Sequence, residues 1–180
     1  MGRHVVLLRA VNVGGHNKVP MAALRQALDA AGCTEGKTLL ASGNVVFSGA
    51  DGRLAAAELV HQVISRTFGL EIDCLGLGEA ELRLSVSENS LWDPSYDGSR
   101  MLTMFCDQEP EVVDVPRKEL PRLNGDTLVV GPAGELHVVH QWCEDGISNT
   151  PAMQEFVRFP KGSVFTGRNR NTLVKLLDLI

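Results

Sequence analysis

The chain has 180 residues, 17 Lys and Arg against 22 Asp and Glu, a formal charge of −5 with His neutral, and is 44% hydrophobic and 22% charged. That composition is globular, and no apolar run approaches the ~18 residues needed to span a bilayer, so membrane-spanning, collagen-like, coiled-coil and wholly disordered classes are excluded. Four cysteines, Cys33, Cys74, Cys106 and Cys143, are too widely spaced for zinc sites or redox pairs, and are read as reduced structural thiols of a cytoplasmic protein.

The opening, MGRHVVLLRAVNVGG, has no leader-like cleavage pattern, and Val6 stands where a myristoylation motif wants Ser or Thr, so no membrane anchor is expected. His4 to Val11 is apolar and β-branched and predicts a strand buried on both faces. After the loop Asn12 to Val19, Pro20 fits a first helical position, Met21 to Ala31 has helical spacing, and Gly32 is a stop. Lys37 to Ala41 and Val45 to Ser48 form a hairpin around Ser42-Gly43-Asn44, where Gly and Asn are to supply positive φ. Leu54 to Phe68 is an amphipathic helix, with Leu54, Ala57, Val60, Val63, Ile64 and Phe68 inward and Gly69 as its end; Ile72 to Leu77 is a strand.

Glu79 to Glu88 predicts a third helix, and Asn89 to Ser99 a linker. The second half then repeats the order: strand Met101 to Cys106, a Pro-limited helix Glu111 to Leu120, strands Thr127 to Val130 and Leu136 to His140 around Gly131-Pro132-Ala133-Gly134. Helix Ala152 to Arg158, strand Ser163 to Thr166 and helix Asn171 to Ile180 complete it. This β-α-β-β-α-β order, seen twice, predicts an α+β fold of two tandem ferredoxin-like halves, 1–88 and 100–180 joined by 89–99, with antiparallel sheets and helices packed on them. In that topology the end of the first strand and the first hairpin turn share one sheet edge, so the loop Asn12 to Val19 faces Ser42-Gly43-Asn44.

Charge is uneven along the chain. Residues 1–70 are net +3, residues 71–126 net −8, and the last 54 neutral but with a basic run, Arg158 to Lys175, free of acids. An anion site can exist on such a protein. One candidate comprises Arg9, Asn12, Gly14, Gly15 and Lys18 with Ser42, Gly43 and Asn44 opposite: adjacent glycines let backbone N–H groups converge, and the loop leads into a helix start. It is neither a P-loop nor a dinucleotide fingerprint. The plainer alternative is a tight turn whose asparagines close loop hydrogen bonds and whose lysine is solvated. A second candidate, Arg168, Asn169, Arg170 and Asn171, opens the last helix; either asparagine can cap it, while two arginines there call for an anion, either internal (Asp145 or Glu155) or a ligand phosphate. Glu88, Asp93 and Asp97 near Trp92 and Tyr96 are read as a linker edge with packed aromatics. His137 and His140, three apart on a strand, make a poor metal pair, and no metal or cofactor is expected. No residue is assigned as catalytic.

Three segments carry a resemblance: LLRAVNVGGHNKVPMAALRQAL (Leu7 to Leu28), TLLASGNVVF (Thr38 to Phe47) and TGRNRNTLVKLLDL (Thr166 to Leu179). They resemble the bacterial domain-of-unknown-function family 1697, whose pattern reads LLRGINVGG, SGNVVF and TRNWNT; here Ala10, Val11 and Arg170 replace Gly, Ile and Trp. The resemblance implies two related ferredoxin-like halves and no established activity. The leading functional expectation is a protein binding a phosphate-bearing small molecule or nucleotide at one site built from the Gly14-Gly15 loop, the Ser42-Gly43-Asn44 turn and the Arg168 to Asn171 segment. An enzyme acting on such a ligand, with His16 or Ser42 as the only suitable near-site groups, is the alternative, and an RNA-binding or protein-interaction module a third. With 5% aromatics and no RNP-like run, nucleic acid ranks lower. Oligomeric state stays open, a homodimer through a strand edge included.

Overall fold

The computed structural model describes residues 2–113, 128–150 and 152–180, those of 128–130 by backbone alone, and divides into two units: residues up to Ala80 with Leu176–Ile180, and Glu81–Lys175. The fold is α+β with antiparallel sheets. Among the described residues, no helix is long and apolar enough to cross a membrane.

The first unit runs β1 (Arg3–Leu8), α1 (Met21–Ala30), β2 (Thr34–Leu39), β3 (Asn44–Ser48), α2 (Arg53–Phe68) and β4 (Cys74–Leu77). Its sheet has the order β2-β3-β1-β4 with every neighbour antiparallel. The apolar, β-branched β1 occupies an interior position, where a strand buried on both faces belongs. Val6 and Leu8 join a core with Leu24 and Leu28 of α1 and Val60 and Ile64 of α2, while Val5 and Leu7 on the opposite face are equally shielded. Gly69 takes the left-handed conformation (φ 65°) that closes α2, as expected of a glycine stop.

Several expectations are corrected here. β1 ends at Leu8, not Val11, because Ala10 and Asn12 turn to positive φ. Pro20 is the residue before α1, not its first turn. In the hairpin, Leu40 and Gly43 adopt positive φ, and Asn44 already belongs to β3. Leu54 is 68% exposed: α2 begins a turn earlier than its inward face, which starts at Ala56.

The second unit contains nearly all of α3 (Glu79–Ser87), then β5 (Met101–Cys106), β6 (Glu111–Val112), β7 (Leu128–Ala133), β8 (Leu136–Trp142), β9 (Val157–Arg158), β10 (Phe165–Asn169) and most of α4 (Arg170–Leu177). Its main sheet runs β10-β5-β8-β7, again with all neighbours antiparallel. One face, with Met104 and Val139, packs on Met153, Phe156 and Val157, and Phe159 stacks on Phe165 at 4.1 Å.

Glu111 and Val112 form a strand with Val157 and Arg158, not a helix, and Val113 N–H donates to Phe156 O; residues 114–120 of the expected helix lie outside the described residues, as does Thr127. Ala152 to Arg158 is likewise not an α-helix. It is a single 3-10 turn, Met153–Glu155, followed by β9. The second hairpin turns at Gly134-Glu135, so Gly131, Pro132 and Ala133 lie in β7; proline is tolerated because β7 is an edge strand. Residues 89–99 are a chain of Asx turns: Asn89, Asp93 and Asp97 each accept, through Oδ1, the amide of the second residue on, Leu91, Ser95 and Ser99.

Candidate functional site

In the first unit the chain leaves β1 with five positive φ angles within eight residues, Ala10, Asn12, Gly14, Gly15 and Asn17. Gly14 and Gly15 (φ 60° and 80°) are the two central residues of a turn closed by His16 N–H donating to Val13 O at 3.1 Å, the I′-type geometry that favours glycine at both places. Asn12 N–H reaches Asn17 O at 3.1 Å, so 12–17 is a miniature hairpin.

Asn12 clamps this hairpin to its surroundings. Its Nδ2 donates to Val19 O (3.0 Å) and Ala41 O (2.8 Å), and its Oδ1 accepts Val19 N–H (3.0 Å). Asn17 Nδ2 donates to Ala10 O, and the fully buried Asn44 donates to Leu39 O (2.7 Å) and Ser42 Oγ (3.2 Å). Gly43 O accepts Leu8 N–H at 2.8 Å. The loop and the hairpin turn therefore meet at one sheet edge, as the topology requires, and their asparagines are spent on holding backbone in place.

Arg9 is anchored too. Its Nη1 lies 3.0 Å from Asp73 Oδ2, and its N–H donates to Asp73 O. His16 and Lys18, by contrast, are exposed, with no side-chain hydrogen bond or ion pair to any described residue. In the same loop as these two, Asn12 and Val19 line an open cleft of about 460 Å³ together with Pro20, Met21, Thr38, Leu40 and Ala41. At its edge α1 begins without a side-chain cap and without an acid in its first turn, and its first intrahelical bond is Leu24 N–H to Pro20 O. The amides of Met21, Ala22 and Ala23 precede that bond, leaving positive partial charge at the helix start.

Arg168, Asn169 and Asn171 belong to the second unit. Asn169 caps α4, its Oδ1 accepting Thr172 N–H at 2.9 Å. Asn171 packs its carboxamide on Gly98, where any β-carbon would overlap its Oδ1. Arg168 is 7% exposed and donates to Thr166 Oγ1 (3.0 Å) and Gly167 O (2.7 Å); burial lowers its pKa to about 10, so it remains charged at neutral pH. Arg170 donates to Val86 O at 2.9 Å and lies 4.2 Å from the Trp92 ring centroid, so a carbonyl and an aromatic face meet its charge. Trp92 in turn meets Tyr96 edge to face at 6.3 Å, and Tyr96 stacks on Trp142 at 4.1 Å.

Strand register reveals a row that residue spacing could not: Arg168 on β10 faces Thr103 on β5, which faces His140 on β8. Thr103 Oγ1 and His140 Nδ1 are 2.9 Å apart, both residues buried. Burial, then the nearby Arg170 charge, lowers the His140 pKa to about 4, so the imidazole is neutral at physiological pH. Among the described residues, no group of three or more His, Cys, Asp or Glu side chains is placed to hold a metal ion.

The chain is similar over 98% of its length to the conserved bacterial protein SP0830 from Streptococcus pneumoniae, covering 97% of that chain at 23% identity with a TM-score of 0.62, a likeness of fold. No curated protein matches. A protein-family match, described as "Protein of unknown function (DUF1697)", spans residues 1–131, the stretch holding β1, the glycine turn and the first hairpin, and the chain belongs to that family.

Proposed function

We propose that this protein binds a phosphate-bearing small molecule or nucleotide at the cleft between the 12–20 loop, the start of α1 and the Leu40–Ser42 turn. The observation that carries the reading is an uncapped helix start with no first-turn acid on this cleft, with Lys18, exposed and without a partner among the described residues, next in the chain to the lining residue Val19. Leu40, which lines the cleft and is 51% exposed, supplies apolar contact for the non-phosphate part of the ligand. Arg9, Asn12, Ser42, Gly43 and Asn44 act in this reading by shaping the cleft. Arg168, Asn169 and Asn171 are not needed for it.

A panel of inorganic phosphate, nucleotides and sugar phosphates tests the proposal by thermal shift. Ligand at a hundredfold excess over Kd adds about 2.7 kcal/mol, a rise of roughly 5–10 °C for a chain of this size. Lys18→Glu should abolish the rise. A rise of equal size in that variant, or none with any ligand in the wild type, defeats the reading.

We also infer that the two halves are ferredoxin-like products of a duplication. Support comes from strand order: with the four strands of each main sheet numbered in chain order, β6 and β9 forming a separate pair, both sheets run 4-1-3-2 with antiparallel neighbours. The four free cysteines accord with a cytoplasmic setting.

A further inference from the structure

The second unit holds a cavity of about 510 Å³ between α3 and the β7–β8 hairpin, lined by Leu84 and Glu88 from one side and by Gly131, Pro132, Val138 and His140 from the other. Its walls are chiefly aliphatic, with two polar groups of different kind. Glu88 is exposed and has no charged partner among the described residues. His140 is 2% exposed.

The histidine's hydrogen-bonding state follows from its neighbour. Thr103 is 1% exposed and, among the described residues, its hydroxyl has a single partner, His140 Nδ1. If Nδ1 carried the proton, the buried hydroxyl hydrogen would have no acceptor, a cost of about 1–3 kcal/mol. The hydroxyl therefore donates to Nδ1, and the ring proton sits on Nε2. Nε2, across the ring from the Thr103 contact, has no partner among the described residues and is not one of the enclosed polar atoms left without one, so open space lies before it, and His140 borders this cavity.

We propose that this cavity binds a small molecule with an apolar body, a carbonyl or carboxylate oxygen accepting from His140 Nε2, and an amine directed to Glu88. A β-carbon added at Gly131 meets nothing within 4 Å, so there is room on that wall. The site is independent of the phosphate cleft, which lies in the first unit.

Four phosphate-free probes test it by nitrogen-15 NMR on the whole protein at millimolar concentration: ε-aminocaproic acid, caproic acid, hexanamide and hexylamine. ε-Aminocaproic acid is expected to shift the His140 ring resonances and the Gly131 and Gly134 amides saturably. Caproic acid and hexanamide should do so more weakly, and hexylamine least. Gly131→Leu, which fills open space at a residue without a left-handed backbone, should weaken all of them about tenfold or more, as a lost acceptor bond and lost apolar volume together require. Glu88→Gln should remove the preference for ε-aminocaproic acid over caproic acid. Absence of a saturable shift with every probe overturns the proposal, as does unchanged binding in a folded Gly131→Leu protein. If that variant does not fold, the exposed Glu88→Gln decides: an unchanged preference overturns the two-ended ligand.

Discussion

Replacing Gly43 with alanine tests the meeting of the hairpin turn with the end of β1. Gly43 sits at φ 78°, and a β-carbon there would lie 2.6 Å from Val11 Cγ2 and 2.7 Å from Leu8 Cβ. Forcing an alanine to left-handed φ costs about 1 kcal/mol, and the overlap adds about 1–3 kcal/mol, since Leu8 Cβ is fixed to an interior strand. Stiffening the unfolded chain returns about 0.5 kcal/mol, leaving a net loss of about 1.5–3.5 kcal/mol. With a urea slope near 2 kcal/mol per molar, the midpoint should fall by about 0.75–1.75 M. Gly15→Ala is the control: its φ is 80°, yet nothing lies within 4 Å of the added carbon, so only the conformational cost of about 0.5–1 kcal/mol applies. Urea unfolding followed by circular dichroism compares the two. Losses within about 0.5 kcal/mol of each other would refute the packing of the turn on Leu8 and Val11, because backbone strain alone is common to both.

Asn12→Ala should destabilise by about 2 kcal/mol or more, three hydrogen bonds being lost at a residue with φ 56°, and hydrogen exchange should show the Val19 amide opening faster. Arg170→Ala should cost about 1–2 kcal/mol and change the tryptophan emission that reports on Trp92, whereas unchanged emission would place the guanidinium elsewhere. His140 gives a signed pH effect. Its folded pKa of about 4 lies below the ordinary histidine value of 6.5, so above pH 6.5 both states are neutral and nothing is lost. As pH falls from 6.5 towards 4 the unfolded state takes up a proton that the folded state refuses, and stability drops by up to ~3 kcal/mol. His140→Gln should flatten that limb of the stability curve, and an unaltered limb would rule the histidine out as its source.

Much of this architecture was legible because local and topological rules agree. Met101 to Cys106 is a strand to the residue, Gly69 ends its helix, and the loop meets the hairpin turn because two helical crossovers place them on one edge. Misreadings fall where tertiary context overrides local preference. Gly131 and Pro132 look like a turn, but an edge strand accommodates both; Glu111 and Val112 have no helical alternative once Arg158 and Val157 offer backbone partners. The site shows the same division. Which residues cluster at the loop was readable, but their duties were not, since Asn12, Asn44 and Arg9 are bound to Val19, Leu39 and Asp73, residues from 5 to 64 positions away. The Arg168, Thr103, His140 row depends on strand register, which residue spacing does not encode.

The phosphate-cleft proposal is tested most directly by mapping backbone amides of the nitrogen-15 protein during titration with the nucleotide or phosphometabolite that gives the largest thermal shift. Saturable perturbation should centre on Gly14 to Lys18 and on Met21 to Ala23, and Lys18→Glu should eliminate it while the rest of the spectrum is preserved. Perturbation confined to other residues, or persisting at full affinity in Lys18→Glu, would contradict a phosphate site at the start of α1.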